Sequence, residues 1–227
     1  MAGVRWNRFL VSALLLGLWC VLTAQAQGSP RLTYPSSVVQ LFVTFPDGTQ
    51  VTGSASLVNA SGIFLTNAHV VASNGQLPVE IQVLVTNGKG ELPQPSYLAG
   101  VLSNGLDSNL DLAVLSLTSE ITPAGTLAPV QLPLPMSPLV LGDSNALDLG
   151  DPLFIVGYPA GSVALTLTTG TVSSFDPDGF IVSDARIASG NSGGAALNAR
   201  GELIGVPTLA LNVGRGGEGP VETQGLA

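Results

Sequence analysis

Three short stretches hold residue types that can do chemistry together. TNAHVV, residues 66–71, contains the only histidine of the 227-residue chain, His69. An imidazole can take up and return a proton near neutral pH, which makes His69 a candidate general base. Alone, it reads equally well as a structural or exposed side chain. In ASGNSGGAAL, residues 188–197, Gly190, Gly193 and Gly194 surround Ser192. Glycines let a backbone approach a ligand with no Cβ in the way, and successive N–H groups in such a turn can converge on a developing oxyanion. The same string also suits a plain hairpin turn. DSNLDLAVLSL, residues 107–117, opens an apolar run at Asp111. A carboxylate there is costly unless hydrogen-bonded. It serves either as a polar strand end or as the partner that fixes an imidazole tautomer and stabilises the imidazolium. Together the three types make up an activated serine nucleophile.

Such groups need a rigid frame, and the frame is almost wholly β. Short apolar or alternating runs recur (SSVVQLFV, VTGSASLV, GIFLT, VEIQVLV, YLAGVLS, DLAVLSL), separated by turn signals such as PDG, NASG, SNG and TNGKG. Many short strands at this spacing predict a sandwich or barrel. The one helical signal is a turn or two at NAHVVAS. Next, SEITPAGTLAPVQLPLPMSPLV carries prolines 123, 129, 133, 135 and 138, which forbid regular sheet and read as a connector. Strand-like runs then resume with PLFIVGY, VALTLTTGTVSS, GFIVS, GGAALN and ELIGV. Two β halves of comparable size are expected, with His69 and Asp111 in the first and Ser192 in the second.

Composition narrows the partners. Hydrophobic residues make up 45% of the chain and charged residues 10%, ample material for a core. The start has the order of a secretory signal peptide: Arg5 and Arg8, a 14-residue apolar run from Phe9 to Leu22, then Ala24-x-Ala26. That run falls short of the roughly 18–20 residues that span a bilayer. We therefore expect export to the periplasm or beyond and no stable membrane insertion once the signal is removed. Cleavage after Ala26 also removes Cys20, the single cysteine. Removing Arg5 and Arg8 from seven basic residues leaves five against 15 acidic, a net charge of −10. With no basic cluster, nucleic acid is not an expected partner. One histidine and scattered carboxylates give no metal-ligand cluster, and no cofactor is expected.

The order His69, Asp111, Ser192 is that of the chymotrypsin architecture, as opposed to subtilisin or the α/β-hydrolases. GSASLVNASGIFLTNAHVV, DSNLDLAVLSL, GDPLFIVGYPAGSVALTLTTGTVSS and SDARIASGNSGGAALNARGELIGV resemble the protease domain of HtrA/Deg-type bacterial serine proteases. The resemblance covers roughly residues 36 to 227. It implies an all-β fold of two six-stranded antiparallel barrels with the site in the cleft between them. The divisions would be a signal peptide (1–26), an N-terminal arm (27–35), a first barrel (36–118), a proline-rich linker (119–140) and a second barrel (141–227). It further implies His69 as general base, Asp111 as its orienting partner and Ser192 as nucleophile. The oxyanion hole would come from the backbone of Gly190, Asn191 and Ser192, chiefly the N–H groups of Gly190 and Ser192. Thr208, in GVPTLA, falls where family members place a hydroxyl that supports the aspartate.

Departures from the family pattern carry expectations of their own. Gly53-Ser54-Ala55 stands where Gly-Ser-Gly is usual, and no PDZ-like segment follows. QGLA resembles the start of the second barrel's last strand, so that strand is expected to be incomplete in this chain. Digestive relatives place an aspartate before the nucleophile to pair with a new N-terminus; Asn191 stands there, so no propeptide switch is expected. Enzymes that cut after Lys or Arg carry a carboxylate six residues before the nucleophile, and here that position is Arg186. Ile187 and Leu209 would line the specificity pocket with hydrocarbon, favouring small or medium aliphatic residues. An inward Arg186 would favour acidic ones. The resemblance implies an endopeptidase of unfolded or damaged proteins, with a homo-oligomer left open. Its rivals are a secreted protease of narrow range and a catalytically silent binding or chaperone module with the same fold.

Overall fold

The computed structural model describes residues 30–159, 164–177, 179–212 and 221–226. The expected signal peptide lies outside them. Seven strands make the first half: β1 (Val38–Thr44), β2 (Gln50–Asn59), β3 (Ile63–Asn67), β4 (Glu80–Val85), β5 (Gln94–Asp107), β6 (Leu112–Ile121) and β7 (Leu127–Ala128). They run β3-β2-β1-β4-β5-β6-β7, and β3 pairs with β6 from Ile63↔Ser116 to Asn67↔Leu112. That pairing closes six strands into a barrel. Strand alternation explains its filling: Val39, Leu41 and Val43 of β1 point inward and are fully buried, as are Leu57, Phe64, Val83 and Leu115. β6 runs on to Ile121, and the short β7 lies inside the proline-rich segment.

Between β3 and β4 lies a single helical turn, α1 (Ala68–Val71). Ala68, Val70 and Val71 are buried against the barrel, so the remaining position, His69, faces out.

The second half comprises β8 (Pro152–Gly157), β9 (Thr166–Phe175), β10 (Ile181–Ser183), β11 (Ala195–Leu197), β12 (Leu203–Gly205), β13 (Pro207–Asn212) and β14 (Val221–Leu226). Its order is β12-β11-β8-β9-β10-β14-β13, a sheet curled into a half-barrel whose edge strands β12 and β13 are separated in the chain by Val206 alone. Leu153, Ile155, Val172, Ile181, Ala185, Ile187, Ala196 and Ile204 fill it. The QGL expected to open the last strand is the second half of β14. It is paired because β14 forms an antiparallel ladder with β13 from Pro207↔Leu226 to Asn212↔Val221 and meets β10 at Ile181 and Val182. A third apolar cluster joins the halves: Val38 of β1 packs with Phe154, Val156, Ala195, Leu197 and Leu203. Among the described residues no helix is long and apolar enough to cross a membrane.

Candidate active site

Asp111 sits in the turn between β5 and β6 with φ +51°, a left-handed conformation that aspartate tolerates better than most residues. The turn is held from below, where Asp107 Oδ1 accepts the N–H groups of Asn109 and Leu110. It is held from the side too, where the Asp111 carbonyl accepts from the Ala68 N–H (3.0 Å) and the Asn67 amide (2.9 Å). β6 and α1 are thereby tied at one residue, and the carboxylate is aimed at the imidazole. His69 Nδ1 lies 2.7 Å from Asp111 Oδ2, and the His69 backbone N–H donates to Asp111 Oδ1 at 3.0 Å. From the other half, Thr208 Oγ1 donates to Asp111 Oδ2 at 3.0 Å. Burial works to raise the carboxyl's pKa, but the hydrogen bonds from the His69 ring, the His69 backbone and Thr208 outweigh it, so Asp111 is held below the ordinary carboxylate value. With the carboxylate ionised, the Nδ1 position carries the proton and Nε2 is left as the base.

Ser192 lies in the tight stretch from Ala188 to Gly194. The Asn191 N–H donates to Ala188 O at 2.9 Å, and Gly190 has φ +92°, the signature of a type II turn with glycine at its third position. Asn191 therefore spends its N–H inside the turn and does not contribute it to an oxyanion hole, which corrects the broader three-residue expectation. Among the described residues the N–H groups of Gly190 and Ser192 have no hydrogen-bond partner, so these two remain as donors. Gly193, at φ +85°, donates to Pro207 O at 3.2 Å. A Cβ on it would come within 2.2 Å of both Ser54 O and Thr66 Oγ1, so the turn that carries Ser192 is pressed against β2 and β3.

The structure thus joins His69, Asp111 and Thr208 by hydrogen bonds and ties Ser192 to β2, its carbonyl accepting from the Ser54 N–H at 2.9 Å. No hydrogen bond links the Ser192 hydroxyl to His69 here; such contacts commonly tighten only around substrate. A cavity of about 580 Å³ opens beside His69, lined by Ala68, Leu77, Leu102, Leu106 and Asp111 among others. Arg186 is exposed, without an ion-pair partner among the described residues, while Ile187 is buried in the second-half core. Asp184, the nearest acid, is occupied by the Thr171 N–H and hydroxyl. The side chain of Leu209 lies outside the described residues. Sequence reasoning missed Asn67, Thr66 and the hydroxyl of Ser54, all buried polar groups on the strands behind the site. Their only signal was a small polar residue at an inward-facing strand position.

Comparison with known proteins matches residues 53–206 to a trypsin-like peptidase domain model. The chain is 35% identical over 175 residues to a probable periplasmic serine endoprotease DegP-like of Chlamydia trachomatis serovar D, covering 74% of this chain and 30% of that protein. It is 33% identical over 176 residues to the periplasmic pH-dependent serine endoprotease DegQ of Escherichia coli, covering 74% of this chain and 33% of that one. The chain therefore spans about a third of the length of these relatives. Among solved structures it resembles the HtrA-type protease AlgW with tripeptide, with a TM-score of 0.61 and 29% identity, covering 86% of this chain and 56% of that one.

Proposed function

The chain belongs to the trypsin-like peptidases, within the HtrA/Deg type, and we propose that it is an exported serine endopeptidase that cleaves unfolded or damaged proteins through His69, Asp111 and Ser192. One observation carries the reading. A histidine whose Nδ1 is held at 2.7 Å by an ionised carboxylate follows directly on β3, and the Ser192 turn, with two N–H groups to spare among the described residues, is hydrogen-bonded to the neighbouring strand β2.

The Ser192 oxygen adds to the scissile carbonyl carbon while its proton passes to His69 Nε2. The carbonyl π electrons move onto oxygen, and the Gly190 and Ser192 N–H groups stabilise the resulting negative charge. Asp111 keeps Nδ1–H directed toward itself and offsets the positive charge that forms on the ring. His69 then gives its proton to the amide nitrogen as the C–N bond breaks, leaving an acyl-serine and a free amine. A water molecule repeats the cycle on the ester, with His69 again as base. Relatives named as periplasmic endoproteases and the signal-like first 26 residues support export.

A fluorophosphonate probe and a fluorogenic peptide test the reading. The full chain should be labelled at Ser192 and cleave the peptide; Ser192→Ala or His69→Ala alone should lower turnover by up to about a million-fold, because the three residues work as a unit. A Ser192→Ala variant that keeps most of its activity would sink the mechanism.

A further inference from the structure

Ser54, in the middle of β2, is fully buried and makes four hydrogen bonds to three separate parts of the molecule. Its N–H donates to Ser192 O at 2.9 Å and its carbonyl accepts from Thr66 Oγ1 at 2.7 Å. Its hydroxyl lies 2.7 Å from Gly190 O and 2.9 Å from the Tyr158 nitrogen. The direction of the hydroxyl proton follows from chemistry. Tyr158 N–H can only donate, so it takes a lone pair of Oγ, and the single O–H proton is left for the Gly190 carbonyl. The rotor is therefore fixed, with no alternative partner.

Gly190 and Ser192 are the two residues whose N–H groups remain free to stabilise an oxyanion, and Ser54 holds the carbonyls of both. The peptide between them is fixed at its other end by the Asn191 N–H on Ala188 O. Gly157 seals the arrangement: a Cβ there would stand 3.1 Å from Ser54 Oγ and equally close to Asn191 Oδ1. A glycine-rich turn has little stiffness of its own, so the spacing of its two donors must come from outside it. We infer that the Ser54 hydroxyl is a positioning residue of the oxyanion hole, holding the Gly190 peptide in register with Ser192 from the opposite half of the molecule. This rests on the peptidase reading above.

Ser54→Ala in the full chain, with Ser54→Thr as the variant that restores a hydroxyl, decides it. Losing one oxyanion donor outright costs about 100- to 1,000-fold in kcat, so loosening one should cost roughly 10- to 100-fold. KM should stay within about twofold, because ground-state binding does not use the hole. Affinity for a peptide boronate, which forms a tetrahedral adduct on serine, should fall in step with kcat/KM, and Ser54→Thr should recover most of both. Should Ser54→Ala melt below the assay temperature, Ser54→Cys makes the same comparison with a weaker donor of similar size. Wild-type kcat in Ser54→Ala, an unchanged boronate affinity in that variant, or a loss confined to KM would each overturn the inference. A wild-type chain that neither cleaves nor labels would instead overturn the peptidase reading. Amide spectra then still decide the positioning role, since Gly190 and Ser192 resonances should move or broaden in Ser54→Ala and return in Ser54→Thr.

Discussion

At the scale of single residues, Asp111 determines how pH acts on the molecule. Its folded pKa lies below the ordinary value because, against burial, it accepts from the His69 ring, the His69 backbone and Thr208. It therefore adds stability that is fully present above the unfolded carboxylate range, about pH 4, and is lost as pH falls through the lowered folded value. Asp111→Asn keeps the left-handed backbone but removes this contribution. Urea titrations should find the wild type more stable than Asp111→Asn at pH 7, with the gap narrowing as pH falls below about 4. Turnover at neutral pH should fall about 10,000-fold, because an amide can hold the wrong imidazole tautomer. Specificity follows from residues too. With Arg186 exposed and Asp184 occupied, a peptide series with Val, Lys or Glu before the scissile bond should be cut fastest after Val. Fastest cleavage after Lys would refute the apolar pocket expected from the sequence, and fastest after Glu would place Arg186 inside the specificity pocket. His69 and Asp111 were legible because a sole histidine and a carboxylate opening an apolar strand are conspicuous. Ser54 was not, since a serine between glycine and alanine in a strand looks like filler until its four partners are known.

Elements place these residues by close backbone approach, and Gly193 is where β2, β3 and the Ser192 turn meet. Replacing it with alanine should do two kinds of harm. The positive φ costs about 1–2 kcal/mol for any side chain, and the new Cβ would press on Ser54 O and Thr66 Oγ1, two buried atoms hydrogen-bonded to each other at 2.7 Å. Gly48→Ala separates the two effects, for it shares a positive φ (+84°) but has nothing within 4 Å of the new atom. Thermal unfolding should show Gly193→Ala falling well below Gly48→Ala, with peptide cleavage lost only in the former. Equal melting points would mean that the turn has room to move. Strand alternation made β1 to β6 and the turn at NAHVVAS readable from sequence. The short β7 was hidden because five prolines dominate its surroundings, and the β14 pairing was missed because QGLA carries no alternation to announce it.

For the whole molecule, the site exists only where the two halves meet, since Thr208 reaches Asp111 and Ser54 reaches Ser192 across that boundary. Sequence order placed the histidine and aspartate apart from the serine, but no pattern in either half could reveal which polar groups join them. Another of these joins is Tyr158, immediately after β8, whose hydroxyl lies 2.7 Å from Thr86 Oγ1, just past the end of β4. Burial pushes this phenol up to about 12, with Thr86 working against the rise and Tyr34 adding to it, so it stays neutral and hydrogen-bonded across the working range. Both groups are buried, so deleting the Tyr158 hydroxyl leaves Thr86 Oγ1 without this partner, while deleting the Thr86 hydroxyl leaves Tyr158 only the long 3.4 Å bond that it donates to Val38 O. Tyr158→Phe and Thr86→Val should each cost about 1–3 kcal/mol, while the double variant should cost clearly less than their sum because no orphan remains. Urea unfolding followed by both far-ultraviolet circular dichroism and tryptophan-independent near-ultraviolet signals should stay a single transition in all four proteins. Additive costs would show that the hydroxyls act independently, and separate transitions would show that the halves fold without each other.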